Sequence, residues 1–183
     1  MRVIPTDIAD VVIVEPRRFG DHRGCFFESW SQQAFAEHGI HANFVQDNHS
    51  RSAQGVLRGL HYQLWHPQGK LVRVTAGEVF DVAVDLRRTA PSFGRWIGVT
   101  LSADNARLLW IPPGFAHGFF VTSAEGAECQ YKCTDRYAPD YERSLRWDDP
   151  EIGISWPLID GQPPTLAAKD AAGALLRDAE VYP

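Results

Sequence analysis

Glu78-Val79-Phe80-Asp81-Val82-Ala83-Val84-Asp85-Leu86 alternates strictly: Phe80, Val82, Val84 and Leu86 fall on one face of an extended chain, Asp81 and Asp85 on the other. A period of two predicts a half-buried strand. Arg95 to Ser102 repeats it, with Ile97, Val99 and Leu101 alternating with Gly98, Thr100 and Ser102. Upstream, Leu71 to Thr75 reads as a further strand, and Thr75-Ala76-Gly77-Glu78 as a turn into the next one. Working outward, short apolar stretches are broken again and again by Gly, Pro, Asn and Asp, the pattern of many short strands. Two segments read as helix: Ser31 to His38, capped by Ser31 and stopped by Gly39, and Ala171 to Asp178, capped by Asp170. Strands with little helix, and no strand–helix alternation, predict a sandwich, jelly roll or barrel.

A length of 183 residues suits one domain, expected to span residues 1–183. A net charge of -5 argues against general nucleic-acid binding but leaves room for a local basic pocket facing one anionic ligand. The three cysteines (Cys25, Cys129 and Cys133) are odd in number and form no CxxC pair, so free thiols in a reducing cytosol are expected. The opening MRVIPTDIADVVIVEP lacks the long apolar core of a signal peptide. No apolar run reaches the roughly 20 residues that span a bilayer, so a soluble cytoplasmic protein is the expectation.

Three segments collect unusual polar residues: Asp21 to Glu28, Gln46 through Arg58 and His61 to Lys70, and Pro112 to Phe119. The last carries PxGxxH, ending on His117, and looks like the second motif of the cupin jelly rolls. A metal cupin carries a His-x-His pair in its first motif; here that stretch reads His61-Tyr62-Gln63. An imidazole metal site needs several convergent ligands, so no metal is expected. A histidine without a metal can act as a base, since an imidazole's intrinsic pKa is near ~6.5. A buried carboxylate would orient the ring, and Asp170, Asp47 and Asp81 are all candidates. Each residue also has a bland role. A lone histidine in a β protein is more often a surface or hydrogen-bonded residue than a base. Asp170 could be only a helix cap, Gln46-Asp47-Asn48 only a turn, and Arg58 and Lys70 solvated charges. Arg58 and His61 stand three apart and would face opposite sides of a regular strand. Both can enter one pocket only through a bulge or bend, for which Gly59 is the natural place.

Taken together, these residues resemble the dTDP-4-dehydrorhamnose 3,5-epimerase family. The resemblance is carried by Phe19-Gly20-Asp21, Arg23-Gly24 and Phe26-Phe27-Glu28; by the runs Phe44 to Ser50, Val56 to His61, Gly69 to Arg73, Gly77 to Asp85 and Pro91 to Gly94; and by Trp110-Ile111-Pro112, Gly114 to Phe119 and Ala168 to Ala172. They occur in family order over almost the whole chain. The resemblance implies an all-β, cupin-type jelly roll, a homodimer and an isomerase that needs no cofactor. It implies dTDP-4-dehydro-6-deoxy-D-glucose as substrate, epimerised at C3″ and C5″ to dTDP-4-dehydro-L-rhamnose, or else a single-site relative acting on a related dTDP-4-keto-6-deoxy sugar. It makes His61 the base, Asp170 its support, Tyr131 the acid on the opposite side and Lys70 a donor that stabilises the enolate. Arg23, Glu28, Gln46, Asp47, Asn48, Arg58, His117, Glu142 and Lys169 match the family's nucleotide-sugar contacts, and Tyr137 an aromatic residue that stacks on thymine.

Overall fold

The alternating stretches become neighbouring strands in one sheet of a two-sheet sandwich. The computed structural model describes residues 1–183. Its N-terminal part supplies β1 (Arg2–Pro5), β2 (Val12–Glu15), β3 (Arg18–Asp21), β4 (Gly24–Phe27) and α1 (Gln32–Ala36). The central run is all strand: β5 (Gln46–Ser52), β6 (Leu57–Gln63), β7 (Lys70–Ala76), β8 (Glu78–Asp85), β9 (Trp96–Ser102), β10 (Leu108–Ile111), β11 (Phe115–Val121) and β12 (Ala127–Cys133). A short β13 (Glu142–Ser144) and the one-turn helix α2 (Ala168–Ala171) follow. A six-stranded sheet runs β1-β2-β10-β7-β12-β5 and a five-stranded sheet β13-β6-β11-β8-β9, while β3 and β4 form a separate hairpin. Apart from the step from β8 to β9, successive strands from β5 to β13 switch sheets, which is the winding of a cupin-type jelly roll.

Strand β8 keeps its period of two but is not half-buried. Val79 and Ala83 point between the sheets, among Val72, Ile97, Val99, Leu101 and Phe115. Val82, Val84 and Leu86 point the other way, where Ile152, Ile154, Trp156, Val181 and Tyr182 cover them. Each fully buried aliphatic side chain contributes roughly 1.5–3 kcal/mol, so this C-terminal covering is part of the fold. Asp81 and Asp85 are therefore buried too, and a buried carboxylate needs partners. Asp85 finds Arg87 and Ser92, each at 2.6 Å.

Two local expectations change. Helix α1 begins as read, with the Ser31 hydroxyl accepting the Ala34 N–H, and Gly39 at φ +84° follows its end. The second helix, however, is earlier and shorter than Ala171 to Asp178, and Asp170 lies inside it instead of capping it. Beyond α2 the chain is drawn into strand-like pairing: Ala174 donates to the Ser144 carbonyl and accepts from the Arg146 N–H, both at 2.9 Å. The strand from Val12 to Glu15 is paired within its own chain. β2 is hydrogen-bonded on both sides, to β1 and β10, which leaves β1 and β5 as that sheet's edges.

The Arg58–His61 spacing is resolved by a bulge. On β11, Phe119 pairs with Arg58 and His117 with His61, so a step of three on β6 faces a step of two. Gly59 sits in the bulge at φ +124°, and the Gly59–Leu60 peptide is cis. A Cβ on Gly59 would stand 2.5 Å from the Gly118 Cα and 2.8 Å from the His117 carbonyl oxygen. The obstacle is the backbone of β11, which cannot give way as a side chain can, so Gly59→Ala is expected to cost roughly 2–5 kcal/mol. Urea denaturation checks this; an unchanged midpoint would mean that the bulge does not need glycine.

Candidate active site

Between the two sheets the apolar filling gives way to a polar cleft of about 520 Å³, in the size range of small-ligand sites. Strands β6 and β11 form one wall; β5, β7 and β12 form the other. The segment from Thr165 to Asp170 closes one side.

His61 enters from β6. Its Nε2 lies 2.6 Å from Oδ1 of Asp170, which is only 2% exposed. The chain fixes this contact at both ends of α2. Thr165 exchanges backbone hydrogen bonds with Gly55 and Leu57 at the start of β6, and Ala174 is tied to β13. The helical turn between these anchors is held over β6 with Asp170 facing down. The Gly59 N–H, freed by the bulge, reaches Oδ2 of the same carboxylate at 3.5 Å. A carboxylate can only accept, so it takes Nε2–H and fixes the tautomer in which Nδ1 carries the free lone pair. Nδ1 makes no hydrogen bond within the chain.

Next to it on β11 stands a second pair, which the sequence reading did not assemble. His117 Nε2 is 2.9 and 3.0 Å from the two oxygens of Asp81, and both residues are buried. Asp81 was weighed as a partner for His61. The signal for its actual partner lay in β8, where it shares a face with Val79 and Ala83 inside the sandwich.

Tyr131 and Lys70 come from the opposite wall, on the adjacent strands β12 and β7. Burial pushes the Tyr131 phenol up from its ordinary pKa, so it stays protonated. Burial pushes the Lys70 ammonium down, against the pull of Cys133, Asp81 and Glu142. Neither side chain makes a hydrogen bond within the chain, so both present free donors to the cleft.

The remaining residues divide. Gln46, Asn48, Arg58, His117, Tyr137, Glu142 and Lys169 line the cleft with the four above. Glu142 ties the rim together, accepting from Lys169 Nζ at 3.0 Å and from the Tyr137 hydroxyl at 3.2 Å. Arg58 is steadied by the Ser52 hydroxyl, 2.8 Å from its Nε. Three residues lie elsewhere. Asp47 alternates to the outer face of β5 and pairs with Lys132 at 3.0 Å, because neighbours on a strand cannot share a face. Arg23 is in the β3–β4 hairpin, paired with Asp21 at 2.6 Å. Glu28, just past β4, is exposed and does not line the chain's own cleft.

Residues 5–178 match the family model described as dTDP-4-dehydrorhamnose 3,5-epimerase. The chain belongs to this family. The family's enzyme from Pseudomonas aeruginosa is 59% identical, over 100% of both chains. The structure of dTDP-6-deoxy-D-glucose-3,5-epimerase from Legionella pneumophila, in complex with dTDP-4-keto-L-rhamnose, superposes with a TM-score of 0.94. It is 53% identical and covers 98% of this chain and 94% of its own. A 3'-monoepimerase from Streptomyces bikiniensis, in complex with dTDP-quinovose, has a TM-score of 0.87 at 31% identity, covering 94% and 87%. Family membership makes this chain an isomerase, a carbohydrate epimerase. No helix is long and apolar enough to cross a membrane.

Proposed function

We propose that this epimerase converts dTDP-4-dehydro-6-deoxy-D-glucose to dTDP-4-dehydro-L-rhamnose, with His61 as base, Asp170 behind it, Tyr131 as acid and Lys70 beside the ketone oxygen. C3″ and C5″ both flank the C4″ ketone, so each hydrogen can leave as a proton while charge moves onto oxygen. Inversion then needs removal from one face of the sugar and return to the other. The observation that carries this reading is the placing of base and acid on opposite walls. His61 Nδ1 is free on the β6 wall, and the protonated Tyr131 stands on the β12 wall. Lys70, on the Tyr131 wall, supplies a positive donor to the developing oxyanion. No cofactor or metal enters: proton transfer beside a ketone needs none, and Nε2 of each cleft histidine is committed to an aspartate. Gln46, Asn48, Arg58, His117, Tyr137, Glu142 and Lys169 hold the nucleotide sugar in this reading, Tyr137 against the thymine. The test is turnover in deuterium oxide. One deuteron at C3″ and one at C5″ is expected; a single deuteron would make this a one-site epimerase, and none would sink the reading.

The positions of Arg23 and Glu28 favour a homodimer of one-domain chains over residues 1–183. The β3–β4 hairpin carries Arg23 and the exposed Phe19 and Phe26 away from its own cleft, and Glu28 directly follows it. In a two-fold dimer such a hairpin reaches the other copy, where its aromatic and cationic side chains suit a nucleobase and diphosphate. Light scattering is expected to give a dimer at micromolar concentration, and Arg23→Ala to raise KM. A fully active monomer would refute the dimer. Three free thiols fit a cytoplasmic setting.

A further inference from the structure

Gln63 occupies the place where a metal cupin carries the second histidine of His-x-His, and the proton transfers above give it no role. It is nevertheless 4% exposed and lines the cleft, two residues after His61. Its amide is spent on backbone. Nε2 donates to the carbonyls of His66 at 2.7 Å and Arg136 at 3.2 Å, and Oε1 accepts the Ala138 N–H at 2.9 Å. From the opposite sheet, Gln46 Oε1 accepts the Tyr137 N–H at 2.9 Å, while Gln46 Nε2 donates to Asn48 at 3.0 Å. Two glutamines on facing walls thus grip the backbone of residues 136–138. None of those three N–H groups finds a backbone acceptor, so the loop has no ladder of its own to hold it.

We propose that Gln63 is a positioning residue that, with Gln46 gripping the same loop from the other wall, sets the Tyr137 ring at the mouth of the cleft, and so governs affinity for the nucleotide without entering the chemistry. The inference rests on the reading of Tyr137 as the ring that stacks on the base. Tyr137 is half exposed, and apart from its backbone only its hydroxyl is tethered, to Glu142. A ring on a loose loop must be ordered at each binding event, whereas a ring on a clamped backbone is ready. Gln63 is poorly suited to touch the substrate itself: both of its amide protons are committed, and only a lone pair of Oε1 remains.

The test uses the full chain, dTDP as the titrant and Gln63→Met, which keeps the volume and removes the amide. The dissociation constant for dTDP and the KM for the sugar nucleotide are expected to rise about tenfold or more. The kcat should stay within about threefold. Amide hydrogen exchange at Tyr137 and Ala138 should accelerate. Gln46→Met opens the clamp from the other wall and is the second variant should Gln63→Met fold poorly; because Gln46 also touches the nucleotide sugar in the reading above, amide exchange at Tyr137 is its readout, and exchange no faster than in the parent would overturn the clamp. Tyr137→Ala separates the two readings. If it leaves dTDP affinity unchanged, the stacking role fails and the proposal with it. If it weakens dTDP binding while Gln63→Met does not, the clamp alone is refuted. Combined in one chain, the two changes should weaken binding little more than Tyr137→Ala does; full additivity, or a fall in kcat with affinity unmoved, also overturns the clamp.

Discussion

His61→Ala is expected to give a folded protein that no longer exchanges protons at either C3″ or C5″. General base catalysis by a positioned side chain contributes on the order of 10²–10⁴ in rate, and the loss should fall on both carbons together. His61 is the cleft histidine with an unpartnered nitrogen on a partly exposed ring; His117 is almost wholly buried against Asp81. The variant leaves Asp170 without its main partner. Water can enter from the cleft to replace the ring, so the cost in stability should be roughly 1–3 kcal/mol, short of global unfolding. Mass spectrometry of the sugar after incubation in deuterium oxide measures the first effect, and thermal denaturation the second. Exchange within about tenfold of the parent would remove His61 from the mechanism. Loss at one carbon alone would mean that a second group serves the other.

Local features were legible in the sequence and distant ones were not. The period of two in β8 and β9 is a property of adjacent residues, and both strands form where it places them. What covers β8 was invisible, because residues 152 to 182 lie far from it along the chain. The same reason misplaced the polar face: Asp81 and Asp85 looked solvent-facing, yet they point inside with His117 and Arg87 as partners. Asp170 was ambiguous between cap and base partner because its contact with His61 spans 109 positions. The structure makes it the partner and leaves the helix without a side-chain cap. Asp47 is instructive, because its side chain turns away from those of Gln46 and Asn48. Family resemblance put Gln46, Asp47 and Asn48 together, but the strand period alone forbids all three from facing one cleft. That period, applied to Arg58 and His61, gave the opposite kind of result: it demanded an irregularity at Gly59, and the bulge is there.

Lys70→Met should separate function from stability more sharply than any other single change in this chain. A preorganised donor to a developing oxyanion is worth about 3 kcal/mol, so turnover should fall by roughly 10²–10³. Stability should move the other way. Lys70 is buried with no hydrogen-bond partner, and burial drives its pKa below the ordinary 10.5. Since the folded value is the lower one, the unfolded chain binds more protons between the two values, and native stability rises with pH across that window. The destabilisation is therefore full below the folded pKa and vanishes only as pH approaches 10.5. Methionine fills the same space without a charge, so at neutral pH the variant should be more stable by about 1 kcal/mol or more, or some 2–4 °C in Tm. That advantage should shrink in alkaline buffer. For the parent enzyme, the alkaline limb of kcat should lie below the normal lysine range, because the oxyanion loses its positive partner there. The protonated Tyr131 should titrate only beyond it, since burial raises the phenol. Calorimetry at several pH values and a pH–rate profile check the two halves independently. A variant that keeps turnover refutes the oxyanion role. One that melts lower than the parent at pH 7 would mean that the ammonium is held by its neighbours Asp81 and Glu142 more strongly than burial opposes it.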